Sequence, residues 1–374
     1  MFTGRQVSPL QGLAATAALM LCAPFAAAQN APLPVRSIDL YRSSALDSPA
    51  VMLEIEPDVT RYAAINAEAA RPNANLAKLG SEASAIESRV RTKLEARVPL
   101  AFFEIHTTVD FGPPPQMDVT IDVVELQDIV RRMPFRPAPI GMFDDPEGLL
   151  AAWDEYTRKV YTLAMAGAPL SIRAKDCPVL HCVAPFNVPE LAPYLARFNE
   201  GARRQEDKLY RIASQSGDPQ QRADALFLLA HTNNAERLLP VLTRAIRDGD
   251  SDVRNGAMRM LAFMAEKGIA VDYPVRDLIA ALDFPASSDR NKAGIALSAL
   301  ADDPKYRDTI RAEAVPFALR LLRLKQPNNH GPAYEILKKV SGESFGDRDY
   351  AAWERWAASL PAPQRQPRVD APRR

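Results

Sequence analysis

Glycine is scarce in this chain, with 16 residues against 32 prolines. So few positions free for left-handed backbone leave no glycine-rich phosphate cradle, while the prolines point to many helix starts and stiff connections. Histidine is scarcer still: His106, His181, His231 and His330 stand far apart. That separation excludes a paired-histidine metal motif, and no metal or cofactor set is read. Excess charge is missing too. The 46 basic and 46 acidic side chains cancel, so nothing in the charge balance calls for nucleic acid or an anionic membrane as partner. Beyond the first thirty residues no apolar run approaches the ~20 residues of a membrane-spanning helix, so no transmembrane segment is expected.

What is present begins with LAATAALMLCAPF, Leu13 to Phe25, followed by Ala26-Ala27-Ala28; Arg5 is the one charge among residues 1–28. This pattern predicts a signal peptide cleaved after Ala28, hence a periplasmic or secreted chain starting at Gln29. A lipid anchor on Cys22 is the rival, disfavoured by Leu21 where a small residue is wanted. Export leaves two cysteines, Cys177 and Cys182, in CPVLHC. An even pair in an oxidising compartment predicts a disulfide. A metal or thiol site on Cys177, His181 and Cys182 would lack a fourth ligand at any zinc spacing.

Residues 29–185 read as a smaller α+β domain. AVMLEIEP (50–57) alternates and predicts a half-buried strand. Ile86, Val90 and Leu94 have helical spacing within 81–98. FFEIHTTVDF (102–111) and MDVTIDVVEL (117–126) alternate around GPPPQ and predict a hairpin, with Val119, Ile121 and Val123 on one face and Asp118, Thr120 and Asp122 on the other. Asp145-Pro146 opens a helix carrying Leu149, Leu150, Trp153, Tyr156, Val160 and Tyr161.

From about 189 a repeat takes over. ADALFLLA, NGAMRMLA, GIALSALA and GPAYEILK align on Ala225, Ala257, Ala296 and Ala333, spaced 32, 39 and 37 residues apart. Amphipathic segments at 235–247, 274–284 and 308–324 lie between them. Each unit is therefore two helices, the second holding a small alanine where helices approach closely. GDPQQRADALFLLA (217–230) and GDSDVRNGAMRMLAFMA (249–265) resemble the second helix of HEAT repeats of the shorter bacterial type, whose D-x-x-x-R opening stands here as Asp218/Arg222 and Asp250/Arg254. The resemblance covers about 200–345. It implies a mainly α fold, a C-terminal α-solenoid of helix pairs over 186–360, with those four residues in a ladder of Asp–Arg contacts between repeats. The third unit keeps Asp289 and moves the basic residue to Arg290 or Lys292; the fourth, NNHGPA, has neither charge. Trp353 and Trp356 in DYAAWERWAAS predict a cap on the last repeat, and the Pro- and Arg-rich 361–374 a disordered tail.

GESFG (342–346) fits the nucleophile-elbow pattern at Ser344, but AYEILKKV before it is helical and no histidine follows. An elbow needs a strand before the serine, and its family order puts the histidine after it. No catalytic residue is assigned. The expected function is a scaffold binding a protein or peptide of the cell envelope on the second helices, whose outward positions are Phe227, Asn255, Arg259, Ser298 and Glu335. The alternative is an enzyme with its site in 29–185, near His181 or Asp118, Asp122 and Glu125.

Overall fold

The computed structural model describes residues 33–361 except 70, 72 and 111. The expected signal peptide and all but the first residue of the expected tail lie outside them. The first elements are β1 (Val35–Tyr41), helices α1 (Pro49–Ala69) and α2 (Leu76–Glu95), then β2 (Leu100–Asp110) and β3 (Gln116–Glu125). β2 and β3 form the expected antiparallel hairpin, with β1 parallel to β3 on its other side. Val119, Ile121 and Val123 bury against α1 and α2, together with Ile55, Val59, Ile86, Val90 and Leu94.

One expectation fails here. Residues 50–57 belong to helix α1. Val51 and Leu53 seemed to share a strand face with Ile55, yet Leu53 is 74% exposed while Val51, Ile55 and Val59, spaced by four, are buried. Eight residues were too short a window to separate period 2 from period 3.6, and the alanine-rich sequence after Pro57 extends the helix. β1 was missed for a related reason. In VRSIDLY Val35, Ile38 and Leu40 face the α1–α2 core without a clean alternation, while Tyr41 joins the helical core on the other side.

The short α3 (Ile129–Arg132) ends the sheet unit, and residues 133–145 run as an extended strap to α4 (Leu149–Met165). The strap is bonded across successive inter-helix turns: Arg136 N donates to Arg247 O at 2.7 Å and Gly141 N to Gln215 O at 2.9 Å. A side chain at Gly141 would put its Cβ 2.5 Å from Gln215 O, so the close approach requires glycine. Phe135 stacks edge-on to Phe284 at 5.2 Å and lies under the Arg254 guanidinium.

Then come α5 (Ala192–Arg204), α6 (Glu206–Gln215), α7 (Pro219–Leu229), α8 (Ala235–Ala245), α9 (Ser251–Glu266), α10 (Val275–Ala281), α11 (Ser287–Leu300), α12 (Pro304–Leu322), α13 (Pro327–Ser341) and α14 (Tyr350–Ala358). The protein is thus mainly helical with one three-stranded sheet. α7, α9, α11 and α13 pack in succession as one layer, and α6, α8, α10 and α12 lie against them as a second. The four aligned alanines are buried at that packing. At Gly294 a Cβ would stand 2.8 Å from the Pro332 Cβ, so a small residue sets the approach of α11 to α13. α14 closes the end: Trp353 is fully buried, donates Nε1–H to Gly346 O and meets Phe345 edge-on. Burying a side chain of that size is worth a few kcal/mol, on the order of the 1.5–3 of a large apolar residue.

Candidate binding groove

Two faces of the α7–α9–α11–α13 layer carry arginine, and the structure treats them differently. At the edge where helices begin, Arg222 donates to Asp248 at 2.6 and 2.9 Å and to Ser216 O. Arg254 donates to Asp289 at 2.8 Å and to Asp248 O and Gly249 O. Arg290 reaches Asn329 Oδ1, Phe284 O and Asp122 of β3, the last at 2.8 Å with both side chains wholly buried. A ladder therefore exists, but its acids are not the expected ones. Asp218 and Asp250 cap their own helices, accepting from Gln220 N and from Asp252 N and Val253 N. The bridging acids are Asp248 and Asp289, since an N-cap carboxylate turned onto its own helix cannot also reach the neighbour. Arg290 takes the arginine place in the third unit and Asn329 the acceptor place in the fourth; Lys292 stands elsewhere.

The outward row sits one face round. Asn255, Arg259, Ser298 and Glu335 are all half-buried, as a recessed surface requires. Ser298 and Glu335, with Glu266, Ile295, Ala299, Pro332 and Lys339, line a groove of about 230 Å³ between α9, α11 and α13. Lys339 bridges it, donating to Ser298 O at 3.0 Å and Asp302 at 2.6 Å. Phe227 does not join this surface. The Trp153 ring of α4 stacks on it at 5.4 Å and the His181 ring covers it at 5.3 Å. An aromatic at that position needs cover, and α4 with the following loop supplies it.

That loop is the cysteine segment. Cys177 and Cys182 are bonded at 1.98 Å. Lys267 Nζ, at the end of α9, donates to Cys177 O at 2.6 Å and Val179 O at 2.7 Å, and Leu180 N donates to Ala230 O. The loop thereby lays His181 against Phe227 and Phe263, the latter at 4.9 Å. His181 is 3% exposed, and its Nδ1 has no hydrogen-bond partner.

The charges acting on His181 are basic, whereas the groove lining carries Glu266, Glu335 and Lys339. Burial holds His181 well below its ordinary value, and the charges of Arg259, His231 and Lys292 push it further down. Burial lowers Lys292 to about 7, with Arg259 adding to the shift and Glu266 opposing it. Arg259 is lowered by desolvation against the pull of Asp252, and its Nε is buried without a partner. Lys292 donates to Asn291 Oδ1 at 2.9 Å. Of the groove lining, Glu266, Ile295, Ala299, Pro332 and Lys339 were missed as binding residues; their signal lay in the helical spacing of 295, 298 and 299 and of 332, 335 and 339.

The acids of the sheet are already engaged. Asp118 is held by Arg36 and Ser37, Asp122 by Arg290, and Glu125 accepts from Ser43 at 2.6 Å and Gln127 at 2.9 Å. Ser344 lies in irregular backbone after α13, whose C-cap Gly342 is left-handed. His330 precedes it and has both ring nitrogens occupied, by Leu322 O at 2.7 Å and Asp347 at 3.0 Å, leaving none to take a serine proton. Among the described residues no cluster of His, Cys, Asp and Glu has metal-site geometry, and no helix is long and apolar enough to cross a membrane.

Compared with known proteins, the chain matches no family model, no curated protein and no solved structure.

Proposed function

We propose that α6–α13 form a HEAT-like solenoid whose open face binds a polypeptide of the cell envelope, reached after export by a cleaved signal peptide. The observation that carries this reading is the recessed row itself. Three successive helices contribute Arg259, Ser298 and Glu335 to one half-buried polar surface, bounded by a groove of about 230 Å³. Mixed charge with apolar patches at Ile295, Ala299 and Pro332 suits a polypeptide, recognised by hydrogen bonds around small anchors, better than a lipid. The bonded cysteine pair agrees with an oxidising compartment.

The test places a photo-crosslinking residue at Ser298 or, as control, at Arg276, whose side chain is 57% exposed on the other layer. Irradiation in intact cells should give one polypeptide adduct from position 298 and none from 276. Equal adducts from both positions would abandon the groove. Intact mass of the native protein should begin at Gln29; a lipid on Cys22 would overturn the cleavage after Ala28.

A further inference from the structure

We propose that Phe102, Glu104 and His106 of β2, beside Asp122 and Thr120 of β3, form a binding site for a neutral saccharide, separate from the groove of the helical layer.

Strand register assembles the site. In the antiparallel β2–β3 pair Phe102 stands opposite Val124, Glu104 opposite Asp122, His106 opposite Thr120 and Thr108 opposite Asp118. Side chains two residues apart share a face, so these pairs form one row. Val119, Ile121 and Val123 point the other way, into the core of α1 and α2. β2 is an edge strand. Exposure rises toward that edge: Asp122 and Thr120 are buried, Phe102 and His106 are half-buried, and Glu104 is exposed.

Two observations point to a ligand. First, the inner half of the row is unsatisfied. Among the described residues Asp122 Oδ2, Thr120 Oγ1 and Thr108 Oγ1 are all buried without a hydrogen-bond partner. Buried polar atoms left unpaired are costly, and neighbours in one row are answered together by one molecule that carries several polar groups. Second, Phe102 packs against neither hydrophobic core. Its ring is left at the end of the row, next to Glu104.

The chemistry of the row selects the ligand. Arg290 of α11 is the guanidinium that reaches it, and its donors are spent: Nε on Asn329 Oδ1, Nη1 on Phe284 O and Pro285 O, and Nη2 on Asp122 Oδ1 at 2.8 Å. An anion would therefore meet carboxylates with no free cation to offset them. A cation on Asp122 Oδ2 would stand beside the guanidinium that already neutralises that carboxylate. Hydroxyl groups avoid both penalties, since each donates and accepts, as the threonines do. His106, lowered to about 4 by burial with Arg290 adding to the shift, is neutral at physiological pH and offers one donor and one acceptor. A sugar ring also has an apolar face of C–H groups, which suits the face of Phe102. Glu104, exposed at the edge, is free to turn outward and open the way to Asp122.

Ligand-observed saturation-transfer NMR tests the site on the purified full chain, with maltotriose, cellotriose and chitotriose as separate probes. At least one should receive saturation and titrate to a single site. Thr120→Val and Phe102→Ala should each weaken its binding about fivefold, the worth of one hydrogen bond or one aromatic contact. The melting temperature of Thr120→Val should hold or rise, because the lost hydroxyl is buried and unpartnered. Ser298→Trp, in the groove of the helical layer, should leave the binding as it is.

Saturation of none of the three probes would overturn the site. Binding untouched by both strand variants, or removed by Ser298→Trp, would put the sugar elsewhere, with the same consequence. Tetramethylammonium or acetate bound in place of the trisaccharides, and lost in Thr120→Val, would give the row to a charged ligand and overturn the saccharide. A clear fall in the melting temperature of Thr120→Val would show that its hydroxyl serves the fold, which would also overturn the reading.

Discussion

Arg254 and Arg259 lie five residues apart on α9, one on the edge that meets α11 through Asp289 and one a face further round. The first is 4% exposed and has Asp289 and two carbonyls as acceptors. The second has a buried Nε without a partner. A paired buried arginine fixes geometry, because removing it strands the acid it neutralised. An unpaired one does nothing for the folded chain by itself, and a site that lowers stability without compensation is where function is to be sought. The same contrast separates Arg290, bonded to Asp122 and Asn329, from Lys292 two residues later.

The sharpest way to break this comparison is to truncate both arginines. Arg254→Ala should cost about 3–5 kcal/mol in urea unfolding, since Asp289 would be left buried and alone. Arg259→Ala should cost under ~1 kcal/mol. Equal losses would mean that the two faces do the same job.

Acid offers a second test. Burial lowers His231 to about 3, and its ring packs among Trp153, Phe186 and Phe198. The folded value lies below the unfolded value of ~6.5, so the unfolded chain binds more protons between the two. The stability held by neutral His231 is complete above pH ~6.5 and is lost as pH falls toward about 3, which the cited shift sets as the lower limit. By pH 5 the loss should reach ~2 kcal/mol. His231→Phe should flatten that part of the stability–pH curve, whereas Arg259→Gln should leave it as it is. An unchanged slope in the phenylalanine variant would take His231 out of the acid response.

Reduction comes next. Unfolded, unreduced protein should show no free thiol from Cys177 and Cys182, and both after reduction. Loss of the six-residue closed loop should cost about 2 kcal/mol. Because the loop also covers Phe227, reduction should raise hydrogen exchange at the end of α7 before it affects α13. Uniform exchange across the two helices would deny the loop its covering role.

The smallest effect belongs to the open face. Lys292→Met should be neutral to stabilising, by up to ~1 kcal/mol, because burial and Arg259 disfavour the charge more than Glu266 favours it. A clear destabilisation would show that Lys292 is structural and would narrow the difference between the faces.

Much of the helical layer was legible beforehand. The helix opening read at Asp145 is there, its carboxylate accepting from Leu150 N and Ala151 N, whereas Asp218 and Asp250, read as ladder acids, turned out to be caps. The hairpin was legible because β2 and β3 both alternate over ten or more residues. α1 was misread because its first eight residues satisfy two periods. β1 was passed over because Ser37, Asp39 and Tyr41 bond only to tertiary partners: Ser37 to Asp118, Asp39 to Lys325 N, and Tyr41 under the Arg290 guanidinium.

By itself, then, the sequence determined the helix pairs, their caps, the small residues at their crossings and the cysteine pair, because each of these follows from neighbours within a few residues. Only the tertiary structure decided which acid each arginine meets, that the sheet's acids are spent on Arg36, Arg290 and Ser43, and that Phe227 is covered by Trp153 and His181. Those outcomes depend on the strap at 133–145 carrying the chain back along the helix edge to α4. They also depend on a disulfide loop folding onto α7 and α9. Charge pairing over such separations is set by which surfaces meet, and no local pattern in the chain encodes that.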